Sequence, residues 1–213
     1  MTAVVPAGFV RAHTAVRRPS SVPEVRLHVA DDVVALWEAM EGSAGGAGDA
    51  PPFWAAAWPG GQALARFVLD SPEVVAGRSV LDLGAGSGLV AIAAARAGAA
   101  RVLASDVDPF SRTAVAVNAG LNGVGGVSVL GDVLGHPLPP VDVVLAGDVC
   151  YDRVMTERVL PFLDRARDAG CAVYIGDPGR PYLPHERLVE AAVHEIAETE
   201  GPGVRRTTVW RLP

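Results

Sequence analysis

Lysine is absent from this chain of 213 residues: all 18 of its basic residues are arginine. A genomic bias towards Arg, Ala and Gly is enough to account for that. Without lysine there is no Gly-x-x-x-x-Gly-Lys loop, which argues against a nucleoside triphosphate ligand. Cysteine is almost as scarce. Cys150 and Cys171 are too few for a disulfide framework or a zinc site, and both are expected as reduced thiols of a cytoplasmic protein. The five histidines show no ligand spacing, so no metal is expected. Positive charge is also short, with 18 Arg against 24 Asp and Glu for a net charge of −6. The largest basic groups are the pairs Arg17-Arg18 and Arg205-Arg206, which does not favour a nucleic-acid partner. Long hydrophobic runs are missing too. The most apolar stretch, from Leu89 to Ala104, is broken by Arg96 and Arg101, so no membrane span is expected. The start, Met1-Thr-Ala-Val-Val-Pro6, has no positive segment leading into an apolar one, and a secretory signal is not expected.

What remains is an ordinary globular balance, half hydrophobic and a fifth charged, at a length that suits one domain with a sizeable core. Residues 1–50 read as an N-terminal extension, not a separate domain. Residues 1–23, with Pro6, Pro19 and Pro23, read as an irregular arm, and Glu24 to Ala30 as a short strand. Asp31 is a plausible N-cap for a helix to about Met40 that places Val34, Trp37 and Met40 on one side. The stretch Gly42-Ser-Ala-Gly-Gly-Ala-Gly-Asp49 reads as a flexible loop. From 51 to 213 helix and strand alternate. A helix starts at Pro59 and turns Ala63, Phe67 and Val68 to the core. Strands follow at 79–83, 101–106, 127–131, 141–147 and 171–176, with helices at 88–97, 109–121 and about 153–169. Strand centres such as Val80-Leu81, Val102-Leu103 and Val143-Val144-Leu145 are apolar on both faces, as a helix-covered parallel sheet requires. The tail allows two readings. A helix near 184–192 either runs on to Thr199 or gives way to a strand at 193–199, paired with 205–212 across Gly201-Pro202-Gly203. The hairpin is favoured. The fold class expected is therefore α/β, a doubly wound, mostly parallel seven-stranded sheet with an antiparallel C-terminal hairpin.

In such a sheet ligands bind beyond the carboxyl ends of the strands, where the strand order reverses. The first strand ends in Asp82-Leu-Gly84-Ala-Gly86-Ser-Gly88. Glycines let the backbone turn tightly and approach a ligand, and the helix that follows favours negative charge at its start. A dinucleotide fingerprint wants a glycine at the sixth position, and here that is Leu89. Gly-x-Gly-x-Gly after an acidic residue instead matches what enzymes use for S-adenosylmethionine (SAM). The second strand ends in Asp106-Val107-Asp108-Pro109. Asp106 is 22 positions past Gly84, near the spacing of a ribose carboxylate, and Val107 can lie against a flat base. Asp108 reads as a helix N-cap. The third strand ends in Asp132-Val133, where a carboxylate can accept from an adenine amino group.

The fourth strand ends in Gly147-Asp148-Val149-Cys150-Tyr151, the position that faces the transferred group. An attacking amine needs a neutral lone pair in line with the methyl, and a carboxylate can orient it. Asp148 is the candidate, its alternative being a cap of the next helix. Tyr151 is either pocket wall or core. Cys150 is not expected as a nucleophile, because no histidine adjoins it in sequence and methyl transfer from SAM needs no covalent step. Trp58 is either a cofactor contact or core.

Asp82 to Gly88 together with Asp106 resembles the class I SAM-dependent methyltransferases over residues 51–213. Three stretches narrow the resemblance: Pro52-Phe53-Trp54 with Trp58-Pro59-Gly60-Gly61-Gln62, Gly147 to Tyr151, and Gly176-Asp177-Pro178-Gly179-Arg180-Pro181-Tyr182-Leu183-Pro184. With Arg206-Thr-Thr-Val-Trp210 they are similar to bacterial members of the electron-transfer-flavoprotein β-subunit lysine methyltransferase group. That group belongs to the seven-β-strand methyltransferases and carries an Asp-x-x-Tyr motif, here Asp148-Val149-Cys150-Tyr151. The resemblance implies a SAM-dependent N-methyltransferase of a protein lysine side chain that releases S-adenosylhomocysteine. Catalytic roles fall to Asp148 and Tyr151, and cofactor contacts to Trp58, Asp82, Gly84, Gly86, Gly88, Asp106, Val107, Asp132 and Val133. Alternatives are a small-molecule methyltransferase and a SAM-binding protein without turnover.

Overall fold

The computed structural model describes residues 5–43, 50–197 and 203–213. Along the chain come α1 (Ala7–Ala12), β1 (Ala15–Arg17), β2 (Leu27–Val29), α2 (Val33–Ser43), a 3-10 turn (Phe53–Ala55) and α3 (Pro59–Asp70). A second 3-10 turn (Pro72–Val74) leads into β3 (Ser79–Leu83), followed by α4 (Leu89–Arg96), β4 (Arg101–Ser105), α5 (Pro109–Leu121) and β5 (Val127–Leu130). The chain then runs through β6 (Val143–Gly147), α6 (Arg153–Asp168), β7 (Ala172–Asp177), a 3-10 turn (His185–Arg187), β8 (Val189–Ala197) and β9 (Val204–Leu212).

The main sheet has seven strands in the order β5-β4-β3-β6-β7-β9-β8. Strands β3 to β7 are parallel, while β9 runs antiparallel to both β7 and β8. This is the expected doubly wound sheet with its C-terminal hairpin. The hairpin's turn residues Gly201 and Pro202 lie outside the described residues. Alternation along each strand feeds two cores. Val80, Val102, Val143 and Leu145 join α3 and α4 on one face. Leu81, Leu103, Val144 and Ala146 join Phe162 and Leu163 of α6 on the other. Strand order reverses between β3 and β6, whose carboxyl ends therefore open the crevice.

Five expectations need correction. A helix near 184–192 is not formed: a short 3-10 turn after Pro184 gives way to β8 from Val189, because pairing with β9 outweighs the helical propensity of Glu190-Ala-Ala-Val193. Residues 1–23 are not wholly irregular, since α1 packs on α5 and β1 pairs with β2. The cap of α2 is Asp32, which accepts from the backbone N–H of Val34 and Ala35, while Asp31 pairs with Arg17 on the surface. The buried side of α2 carries Leu36 and Met40, and Val34 is exposed. Of the expected loop 42–49, Gly42 and Ser43 close α2 and the rest lies outside the described residues.

One packing detail positions the site. The first turn of α3 meets the ends of β6 and β7 backbone to backbone. A Cβ on Gly60 would stand 2.1 Å from the Gly176 carbonyl oxygen, and one on Gly147 would stand 2.9 Å from Gly61 Cα. Only glycine permits that approach.

Candidate active site

Beyond β3 the chain makes a tight turn in which Gly84, Gly86 and Gly88 take φ of 69°, 50° and 81°, a region that side chains disfavour. The N–H groups of Gly84 and Ala85 donate to the Ser105 carbonyl, which ties the turn to the end of β4. Gly86 N–H donates to Asp106 Oδ2 at 2.8 Å, and Asp108 N–H donates to Asp106 Oδ1 at 2.9 Å. Burial pushes the Asp106 carboxyl above its ordinary range, and these two donors pull it partly back. Asp108 caps α5 by accepting from Phe110 N–H at 2.8 Å. At the end of β5, Asp132 accepts from Leu134 N–H and pairs with Arg158 at 2.7 Å.

At the end of β6, Asp148 is the one non-glycine residue among the described ones with positive φ, 57°. Asp and Asn tolerate that conformation better than most residues. Its N–H donates to the Gly176 carbonyl, and its Oδ2 accepts from Gly61 N–H at 2.8 Å. Its Oδ1 meets Arg180 Nη1 at 2.6 Å. Burial raises the Asp148 carboxyl, against the lowering pull of Arg180 and of the Gly61 and Gly60 amides. The cap of α6 is Asp152, which accepts from Met155 N–H, so Asp148 is not a helix cap.

These groups converge on one cavity of about 270 Å³, close to the lower bound for small-molecule sites. Of the residues singled out from sequence, Gly84, Gly86, Asp106, Val107, Asp132, Asp148, Tyr151 and Trp58 line it. Three do not. Asp82 lies beneath the turn, 1% exposed, where it accepts from Ala91 N–H in the first turn of α4, and burial pushes its carboxyl up to about 7. Gly88 packs on α5, where a Cβ would stand 3.2 Å from Val115 Cα. Val133 is buried in the core shared with α6.

Phe53 and Arg180 also line the cavity, although their sequence context assigned them no role. The Phe53 ring lies 5.8 Å from Trp58 and 5.7 Å from Tyr151, and the indole N–H of Trp58 donates to the Phe53 carbonyl. All three rings are partly exposed and form an aromatic mouth. Asn118 was missed too. Its amide donates to the Ser87 carbonyl in the glycine turn, and its oxygen accepts from His28 N–H, so α5 joins the turn to β2. The signal for it was weak, an asparagine within an otherwise apolar helix face. The Cys150 thiol is fully buried and pushed up to about 11, mainly by burial, which leaves no thiolate for nucleophilic work. Among the described residues, no group of His, Cys, Asp and Glu could hold a metal, and no helix is long and apolar enough to cross a membrane.

The fold and the row of strand-end carboxylates around a glycine turn define a class I SAM-dependent methyltransferase. Comparisons with known proteins agree. Residues 63–149 match the family of ribosomal protein L11 methyltransferases. The L11 methylase of Lactobacillus delbrueckii subsp. bulgaricus superposes with a TM-score of 0.53 at 24% identity, over 72% of this chain and 79% of that one. At that identity the likeness concerns the fold. The electron transfer flavoprotein β subunit lysine methyltransferase of Xenopus laevis is 36% identical over 98% of this chain and 87% of its own length. Its human counterpart is 40% identical over 75% of this chain, which spans 64% of the human protein's length. The chain belongs to the electron transfer flavoprotein β-subunit lysine methyltransferase family.

Proposed function

We propose that the protein methylates lysine Nζ on the electron transfer flavoprotein β subunit, with SAM as donor and S-adenosylhomocysteine as product. The observation that carries this reading is the convergence of Asp106 and Asp148 on one cavity, from opposite sides of the point where the strand order reverses. The cavity suits the donor. Gly84 and Gly86 offer backbone without side chains, Asp106 accepts the ribose hydroxyls, and Asp132 accepts the adenine amino group. Exposed Val107 lies against the base. When bound, SAM supplies a sulfonium methyl that a neutral amine can attack directly.

The chain's own residues hold the acceptor. The alkyl stem of a lysine enters between Phe53, Trp58 and Tyr151, whose faces suit both methylene groups and a cationic head. Asp148 then orients the amine, with its own geometry held by Gly61 and Arg180. Residues 51–213 form the methyltransferase domain in this reading, and the described part of the N-terminal extension helps to build the acceptor surface. A net charge of −6 suits a basic target, and two buried free thiols suit the cytoplasm. The absence of lysine also keeps an enzyme of this kind from offering its own side chains. The test is to incubate the protein with tritiated-methyl SAM and purified electron transfer flavoprotein. Label on β-subunit lysine supports the proposal. Label on small molecules alone, or none, overturns it.

A further inference from the structure

The geometry points to Arg180 as the residue that sets the protonation state of the acceptor amine: its guanidinium, 2.6 Å from Asp148 and shared with Asp177 at 3.4 Å, offsets the Asp148 charge in part, so the cavity favours a free amine over a trapped ammonium. The inference rests on the proposed lysine acceptor and concerns the same site.

The problem it answers is chemical. The amine of a free lysine titrates near 10.4, so only about one molecule in 10³ carries a lone pair at neutral pH. A buried carboxylate alone beside that amine would make matters worse, because an opposite charge favours the ammonium. Yet the group placed to orient the amine is a carboxylate. The structure resolves the conflict by seating a permanent cation on it. Arg180 Nη1 lies 2.6 Å from Asp148 Oδ1, and arginine does not give up its proton, so the charge is fixed.

The guanidinium is not a surface side chain that happens to reach inwards. Asp177, whose side chain is fully buried, accepts from the backbone N–H of Gly179 and of Arg180 at 2.7 and 2.6 Å. Its other oxygen lies 3.4 Å from Arg180 Nη1. One buried carboxylate thus shapes the turn after β7 and holds the arginine against the second carboxylate. Arg180 also lines the cavity, so it faces whatever Asp148 faces. The other charged groups around that space are Asp106 and Asp108 on the far side, and Asp132, which Arg158 already pairs. The Tyr151 phenol and the Cys150 thiol are both pushed up and stay neutral at physiological pH.

In the reaction the acceptor ammonium first loses its proton to solvent. The nitrogen lone pair then forms the N–C bond as the S–C bond breaks; the S–C bonding pair stays on sulfur, which leaves as a neutral thioether, and the positive charge passes to the methylated nitrogen. A nearby fixed cation lowers the cost of the first event at no cost in orientation. The test is the pH dependence of kcat, which reports groups in the bound complex, measured on electron transfer flavoprotein β subunit with saturating SAM. Arg180→Gln is expected to move the acid limb up by about one pH unit or more, so that turnover falls at least about tenfold at pH 7 and much less at high pH. Arg180→Lys keeps the charge and is expected to leave the limb where it is. If the glutamine variant does not fold, Arg180→Met removes the same charge and is read in its place. A glutamine variant slowed equally at every pH, or a lysine variant whose limb moves as far as a lost charge would move it, overturns the inference. If the unmodified protein transfers no methyl to any β-subunit lysine, the acceptor reading itself fails, and this inference fails with it.

Discussion

Gly60→Ala should unseat the acceptor side of the site without replacing a charged residue. The added methyl would stand 2.1 Å from the Gly176 carbonyl oxygen and 2.7 Å from Asp148 Oδ2. Ordinary contact lies near 3.5 Å, so the first turn of α3 must withdraw from β7 by more than about 1 Å. Neither side can yield by rotating a side chain, because the obstacle at Gly176 is backbone in a central strand. Overpacking of a core costs about 1–3 kcal/mol, and this position belongs at the upper end. For a chain of this length about 3 kcal/mol lowers Tm by roughly 6–12 °C. Withdrawal of α3 also breaks the bond from Gly61 N–H to Asp148, so methyl transfer should fall further than the loss of folded protein explains. Calorimetric melting with a transfer assay at a temperature where the variant is folded measures both. Gly120→Ala is the control, an exposed glycine in α5 with nothing near its added methyl, and it should stabilise by about 0.5–1 kcal/mol. A Gly60→Ala protein that melts with the wild type and transfers methyl at the wild-type rate would mean that α3 and β7 do not depend on this close approach.

Two further outcomes are expected. Asp106→Ala strands the ribose hydroxyls, and lost charge-assisted hydrogen bonds cost about 1.5–3 kcal/mol, so SAM affinity should fall at least about tenfold in titration calorimetry. Unchanged affinity would place the ribose elsewhere. Burial pushes the Asp82 carboxyl up to about 7, well above the ordinary carboxylate range, so the folded state holds the proton more tightly. Its contribution is full below about pH 4 and is lost as pH rises through about 7. Asp108, raised to about 6, adds to the same downward slope. Asp82→Asn keeps an oxygen for Ala91 N–H and should flatten the fall of urea stability across that window. An unchanged slope would mean that Asp82 is not the group responsible.

The core of the fold could be read because its signals were local. Asp108 and Pro109 mark the start of α5, and the short apolar runs of β3 and β6 leave little choice of face. The strand-end acids Asp106, Asp132 and Asp148 followed from strand positions alone. The tail was harder. Glu190-Ala-Ala-Val193 has no local preference for strand, and β8 exists because β9 pairs with it across the sheet edge. Helix α1 has six residues, too few to persist alone, and rests on its packing against α5. Arg180 was visible but mute, since the carboxylate it serves lies 32 positions earlier and comes beside it only when β6 and β7 pair. Asp82 does not line the cavity, and its sequence could not show that, because a strand end looks the same whether its side chain points to the crevice or beneath the turn.

Asp148→Asn tests most directly the proposed division of labour in the cavity, Asp106 for the donor and Asp148 for the acceptor. Asparagine accepts the left-handed backbone at φ 57° and can still take the Gly61 N–H bond, while Asp177 remains beside Arg180. SAM affinity by calorimetry and the methyl-transfer rate on the electron transfer flavoprotein β subunit are then compared in the same preparation. The rate should fall about 10²-fold or more, the scale of a lost positioning contact, with affinity for SAM unchanged. A variant that turns over like the wild type, or one that loses SAM binding in step with activity, would contradict the assignment.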